Sequence, residues 1–209
     1  MGGTFDPIHH GHLRTALEIQ QTLNIKQVAL MPAKQPVHRE SPGSNADARL
    51  AMVERAVADE PALMCDPREI LADQPSYTIY TLEALRKELG ADTSVCMIIG
   101  MDSFLSFDTW HRYEEFLRFC HIIVVARPGF ECRPNEALTQ LLADHQISDK
   151  YSLLTEASGN ILILELTPLS ISATEIRSLL SKGLSPRYLL PDSVLQYIQQ
   201  NKLYYDNAK

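Results

Sequence analysis

The run Gly2-Gly3-Thr4-Phe5-Asp6-Pro7-Ile8-His9-His10-Gly11-His12 gathers residue types that handle phosphate. Gly2 and Gly3 admit a close backbone approach that a Cβ would forbid, which suits a loop raising amide N–H groups towards phosphate oxygens. The histidines then open a helix, whose N-terminal amides and dipole favour an anion. Gly11 keeps that end uncluttered, and His9 and His12, three residues apart, lie on one helical face. Two imidazoles placed there can donate to a phosphate and stabilise charge that builds up in a transition state. Taken alone, His-x-x-His fits a zinc site about as well, and an N-cap or core histidine is commoner than either. No cysteine or acidic residue stands at the usual zinc-ligand spacing.

A second element of the same kind lies at Ile171-Ser172-Ala173-Thr174-Glu175-Ile176-Arg177. Ser172 is a natural N-cap with Glu175 in the capping-box position, so a well-started helix explains it equally well. In the functional alternative, the helix-end amides and the hydroxyls of Ser172 and Thr174 address phosphate, and Arg177 adds a fork of donors one turn on. Between the two elements, Thr78 in Ser76-Tyr77-Thr78 opens a helix, where a hydroxyl also serves as an ordinary cap. Gly100 and Asp102 follow the apolar run Ile98-Ile99, at the strand end where open α/β sheets bind ligands; Asp102 suits ribose hydroxyls or the cap of the next helix. Trp110, the single tryptophan, offers a face for a pyridinium ring, although a lone tryptophan is more often core.

In this order and context the strings resemble the signature of the nucleotidylyltransferase superfamily, and the Gly-Gly-Thr-Phe-Asp-Pro form looks like that of bacterial nicotinate-nucleotide adenylyltransferases. The resemblance runs from Gly2 to the final helix. It implies an enzyme that joins nicotinate mononucleotide to ATP, giving nicotinate adenine dinucleotide and pyrophosphate in NAD synthesis, with Mg²⁺ accompanying the ATP and no metal held by the protein itself. On the matching positions it implies His9, His12 and Arg177 as catalytic groups. With them, Gly2, Gly3, Thr4, Phe5, Gly11, Gly100, Asp102, Ser172 and Thr174 would bind ATP. His38, Arg39, Thr78, Trp110, His111 and Arg127 would bind the mononucleotide. Two positions depart from the family pattern: Val37 stands where a second proline is usual in Pro32-Ala33-Lys34-Gln35-Pro36-Val37-His38-Arg39, and His111 where an aromatic such as tyrosine is expected. The implied contact at position 111 is the backbone amide, which the exchange leaves in place. The rival readings are a different acceptor (nicotinamide mononucleotide or phosphopantetheine), a nucleotide sensor without turnover, and a zinc hydrolase.

Such residues need a scaffold to converge. Short β-branched runs alternate with stretches of helical period, the pattern of βα units on a parallel sheet. Strands are predicted at Gln27–Met31, Leu63–Cys65, Val95–Ile99, His121–Ala126 and Ile161–Leu166. Helices are predicted around Leu13–Leu23 and Leu50–Val57, and at Thr78–Leu89, Tyr113–Phe119, Glu136–His145, Ala173–Ser181 and Asp192–Asn201, with Gly90 and Gly183 as stops. The fold expected is a Rossmann-like doubly wound parallel α/β sheet, residues 1–209 forming a single domain with a C-terminal helical segment. Only Met1 precedes Gly2 where a strand should lead into the glycine loop, so the first strand is expected to be truncated.

Composition narrows the class. The 209 residues, 45% apolar and 22% charged, suffice for one full core, and a net charge of -7 provides no field for a nucleic-acid backbone. Apolar runs stay well short of the roughly 18 residues needed to span a bilayer. Cys65, Cys96, Cys120 and Cys132 are scattered, as for thiols in a reducing compartment, so a soluble cytoplasmic protein is expected, monomeric or homo-oligomeric.

Overall fold

The computed structural model describes residues 1–34, 43–72, 76–126, 132–167 and 169–205. In chain order the elements begin with β1 (Gly2–Gly3), α1 (His10–Leu23), β2 (Val28–Pro32), α2 (Ala46–Val57), β3 (Leu63–Cys65) and α3 (Arg68–Leu71). The middle of the chain holds α4 (Thr78–Leu89), β4 (Cys96–Gly100), α5 (Met101–Phe104), two 3₁₀ turns at Phe107–Thr109 and Tyr113–Arg118, β5 (His121–Ala126) and α6 (Glu136–His145). It ends with β6 (Gln146–Ile147), α7 (Ser152–Thr155), β7 (Ile161–Glu165), α8 (Ala173–Ser181) and α9 (Asp192–Gln200).

By its internal contacts the chain divides into two compact units, Met1–Ser76 with Pro168–Lys209, and Tyr77–Thr167. In the first, β1, β2 and β3 pair in that order, all parallel, with Gly2 opposite Met31 and Val28 opposite Leu63. Ala16, Ile19 and Leu23, spaced to fall on one face of α1, are buried, and Asn24 ends the helix in the left-handed conformation at φ 52°. Asn45 starts α2 by accepting from the Ala48 N–H at 2.8 Å. Ile176 and Leu180 of α8 and Val194, Leu195 and Ile198 of α9 complete the buried apolar set of this unit.

In the second unit the strand order is β4-β5-β7-β6, again parallel. The inner strand β5 is buried at five of its six residues, as expected when both faces are covered. Phe104, Phe107, Phe116, Ile122 and Val124 centre its core. Asn135 caps α6 by accepting from the Leu138 N–H at 3.0 Å, and Gly90, at φ 85°, closes α4. The α/β class and the parallel strands follow the sequence pattern, while the strands pair into two sheets, one in each unit.

Candidate active site

The first unit brings together the N-terminal run and the α8 motif. His9 is the N-cap of α1 with extended backbone, and its carbonyl accepts from the His12 and Leu13 amides at 3.0 and 3.2 Å. Its imidazole stacks on that of His12, ring centroids 3.7 Å apart and planes 23° from parallel. Phe5 meets the His12 ring edge-on at 5.1 Å. Two glycines make this packing possible. A Cβ on Gly11 would lie 3.0 Å from the His9 ring, and one on Gly3 would lie 2.9 Å from the Phe5 ring. Phe5 itself sits at φ 50°, a left-handed conformation that non-glycine residues adopt at a cost, so the surrounding structure holds the loop in shape.

His9 is buried at 5% exposure, and its Nδ1 has no hydrogen-bond partner among the described residues. Burial, reinforced by His10, lowers its pKa from 6.5 to about 4. At neutral pH His9 is therefore uncharged, and its ring can offer an anion an N–H donor but not a positive charge.

On α8, the Ser172 hydroxyl accepts from the Glu175 N–H at 3.4 Å, as a cap does; its own O–H remains a donor. Arg177 donates through Nη1 to the Asp6 carbonyl at 2.7 Å and through Nη2 to Thr174 Oγ1 at 3.3 Å. Arg177 is thus bonded to the loop that carries His9.

Two residues that shape this region were not singled out from sequence. Arg49, 1% exposed, donates to the carbonyls of Thr4 at 2.9 Å, Ala33 at 2.6 Å and Lys34 at 2.8 Å, tying the glycine loop to the segment after β2. Burial lowers its pKa, against the opposing charge of Asp6. Its signal was its position: Arg49 lies three and four residues before the buried Met52 and Val53, a cation on an apolar stripe. The other is Asp6, 5% exposed, whose carboxylate accepts from Gly43, Ser44 and Tyr204.

The second unit holds Thr78, Gly100, Asp102, Trp110 and His111. Thr78 is the first residue of α4 and not its cap. Tyr77 occupies the cap position, and among the described residues no side chain caps this helix. Tyr77 and Tyr80 pack on the His111 ring at 4.6 and 5.8 Å, and Tyr80 Oη lies 3.3 Å from His111 Nε2. This joins the Thr78 segment to the Trp110 segment. Trp110 is half-buried against Phe107 and Phe116, at 5.4 and 6.0 Å, so it borders the core without vanishing into it. Arg112, left-handed at φ 58°, pairs with Glu83 at 2.8 Å and Glu115 at 2.7 Å and braces the turn that follows. Gly100, not Asp102, occupies the cap position of α5; Asp102 is exposed in its first turn, and a Cβ on Gly100 would meet nothing within 4 Å. His38, Arg39 and Arg127 lie outside the described residues.

Among the described residues no three His, Cys, Asp or Glu side chains group to hold a metal ion. Burial pushes the Cys65 and Cys120 thiols up to about 12, which removes them as thiolate ligands or nucleophiles at neutral pH. No helix of the described residues is long and apolar enough to cross a membrane.

The cytidylyltransferase-like family model matches residues 1–179. A Pseudomonas paraeruginosa protein named "Probable nicotinate-nucleotide adenylyltransferase" is 49% identical over 203 residues, covering 97% of this chain and 94% of that protein. A Pseudomonas fluorescens protein of the same name is 48% identical over 204 residues, covering 98% and 95%. Among solved structures, Plasmodium falciparum nicotinic acid mononucleotide adenylyltransferase complexed with NaAD superposes with a TM-score of 0.69 at 17% identity, covering 97% of this chain and 94% of that one, a likeness of fold. The chain therefore belongs to the cytidylyltransferase-like family, on the branch that carries the nicotinate-nucleotide adenylyltransferases.

Proposed function

We propose that this protein transfers the adenylyl group of ATP to nicotinate mononucleotide, forming nicotinate adenine dinucleotide and pyrophosphate in NAD synthesis. A 5'-phosphate oxygen of the mononucleotide attacks the α-phosphorus of ATP in line. The new P–O–P linkage forms as the bond from the α-phosphorus to the β-phosphate oxygen breaks, and pyrophosphate leaves with the electron pair. No side chain becomes covalently modified, so catalysis consists of placement and charge neutralisation. The observation that carries the reading is the stacked His9–His12 pair at the start of α1, on a loop to which Arg177 of α8 is itself bonded.

In this scheme His9 and His12 donate to the ATP phosphates, and Arg177 and the Ser172–Thr174 helix end hold the β- and γ-phosphates. Gly2, Gly3, Thr4, Phe5 and Gly11 shape the loop around them. Gly100 and Asp102 serve the ATP ribose. Thr78, Trp110 and the His111 amide hold the nicotinate group, and His38, Arg39 and Arg127 serve the mononucleotide phosphate. Mg²⁺ arriving with the ATP would supply charge neutralisation for the leaving pyrophosphate. The family model crosses both units, which supports treating the chain as one nucleotidylyltransferase domain.

The test is pyrophosphate release with ATP and Mg²⁺, run in parallel with nicotinate mononucleotide, nicotinamide mononucleotide and phosphopantetheine. Release is expected with nicotinate mononucleotide in strong preference to the other two. Silence with all three acceptors overturns the assignment.

A further inference from the structure

The chemistry assigned above leaves a buried carboxylate and a phenol unused. Asp6 Oδ1 accepts from the Ser44 hydroxyl at 2.6 Å and from the Tyr204 hydroxyl at 2.6 Å, and the two hydroxyls lie 3.0 Å from each other. Asp6 Oδ2 accepts from the Gly43 N–H at 2.7 Å and lies 3.7 Å from Arg177 Nη1, which also donates to the Asp6 carbonyl at 2.7 Å. Both carboxylate oxygens of Asp6 are thereby engaged: Oδ2 faces the arginine and the Gly43 N–H, and Oδ1 is held by Tyr204 and Ser44.

The packing repeats the connection. A Cβ on Gly43 would meet the Tyr204 ring at 3.3 Å and Arg177 Cδ at 3.4 Å, so the phenol ring and the arginine stem rest on one patch of backbone. Tyr204 is held at φ 65° and Lys202 at φ 51°, left-handed conformations for non-glycine residues that a turn keeps only when its contacts over-determine it. Burial, together with the neighbouring Asp6 charge, pushes the Tyr204 phenol upward, so it stays a donor. Arg177 is partly exposed and has further N–H groups on its fork to offer a ligand.

We propose that Tyr204 is a positioning residue: through Asp6 it fixes the Arg177 guanidinium in the orientation that grips the polyphosphate of ATP. The inference rests on the adenylyl-transfer reading for the identity of the ligand and on the hydrogen-bond network alone for the coupling. The C-terminal turn thus acts as a latch on the phosphate arginine, without touching substrate.

Tyr204→Phe deletes one hydroxyl and keeps the ring on Gly43, so the fold is retained; thermal melting checks this, and Ser44→Ala supplies a second perturbation of the same oxygen. In the ligand-free protein, the Arg177 Nε–Hε resonance, assigned by its loss in Arg177→Lys, reports side-chain order. The expected result is a loosened Arg177 in Tyr204→Phe, with ATP binding weakened about 3- to 10-fold. Nicotinate mononucleotide affinity should stay unchanged. Added to Arg177→Lys, Tyr204→Phe should cost little more, because both changes act on one contact. An unchanged Arg177 resonance overturns the latch, as do losses that add fully in the double variant. A loosened Arg177 with undiminished ATP binding overturns its role in phosphate recognition. If the unaltered protein fails to bind ATP, the functional reading falls, while the Arg177 resonance still decides whether the latch exists.

Discussion

A single histidine shows how burial selects between chemical roles. His9 could have served as a cation, a metal ligand or a cap; packed at 5% exposure against His12, it is held neutral. This has a consequence for stability with a definite sign. Its pKa is about 4 when folded against 6.5 when free, so as pH falls the unfolded chain takes up the proton first. The stability that His9 contributes is complete above pH 6.5 and is lost on descent towards pH 4. Urea unfolding at pH 7 and pH 5 should show the unaltered protein losing about 2 kcal/mol more over that step than His9→Gln does. Equal losses would mean that His9 is not buried in its neutral form. The pair's place at the start of α1 was legible in the sequence, but the helical face expected for it was not what forms: His9 is the extended cap, and only His12 is on the helix. The protonation state of His9 was not legible either, since it depends on Phe5, Gly11 and the loop folded around them.

At the scale of elements, the sequence pattern located what local physics governs. The strands at Leu63–Cys65 and His121–Ala126, and the helices at Thr78–Leu89, Glu136–His145 and Ala173–Ser181, have the bounds read from their apolar spacing and stops. The stretch read as a helix at Tyr113 is a 3₁₀ turn ending at Arg118, and β1, β6, α3, α5 and α7 are too short for any periodicity to announce them. Arg49, Asp6 and Tyr204 escaped because their partners are distant in sequence, the Asp6–Tyr204 bond joining residues 198 apart. Gly11 was legible as a glycine with a purpose, and the structure supplies the reason. It is the second residue of α1, where alanine would ordinarily favour the helix by up to about 1 kcal/mol. Its Cβ would instead strike the His9 ring. Gly11→Ala should therefore keep its thermal midpoint within a few degrees and lose roughly 10-fold in kcat, as the imidazole gives way by a few tenths of an ångström, on the order of a third of the ~1 Å misplacement that costs about 100-fold. Melting curves and pyrophosphate-release rates measure the two effects. Full turnover in this variant would detach the stack from catalysis.

For the whole molecule, the division of the chain matters more than its length. One unit is continuous, Tyr77–Thr167, and the other is assembled from both ends. A chain ending at Thr167 loses α8 and α9, and with them Ile176, Leu180, Val194, Leu195 and Ile198 from the core of the first unit. Hydrogen-exchange mass spectrometry of that truncation should show β4, β5 and β7 still protected while α1 and β2 exchange freely. Uniform protection, or uniform loss, would show that the two units are not separate folding entities.

The bond between Asp6 and Tyr204 also sets a schedule for synthesis. A growing chain emerges from the ribosome N-terminus first, and Asp6 must wait for the residue 198 positions later before its phenol partner exists. The continuous unit can be complete by then; the set of contacts on Asp6 cannot. Nascent chains and premature termination products that lack Tyr204 should accordingly hold Arg177 less firmly, through the Asp6 carbonyl and Thr174 alone, and ATP binding should gain its last 3- to 10-fold, on the order of one hydrogen bond, only once Tyr204 has been made.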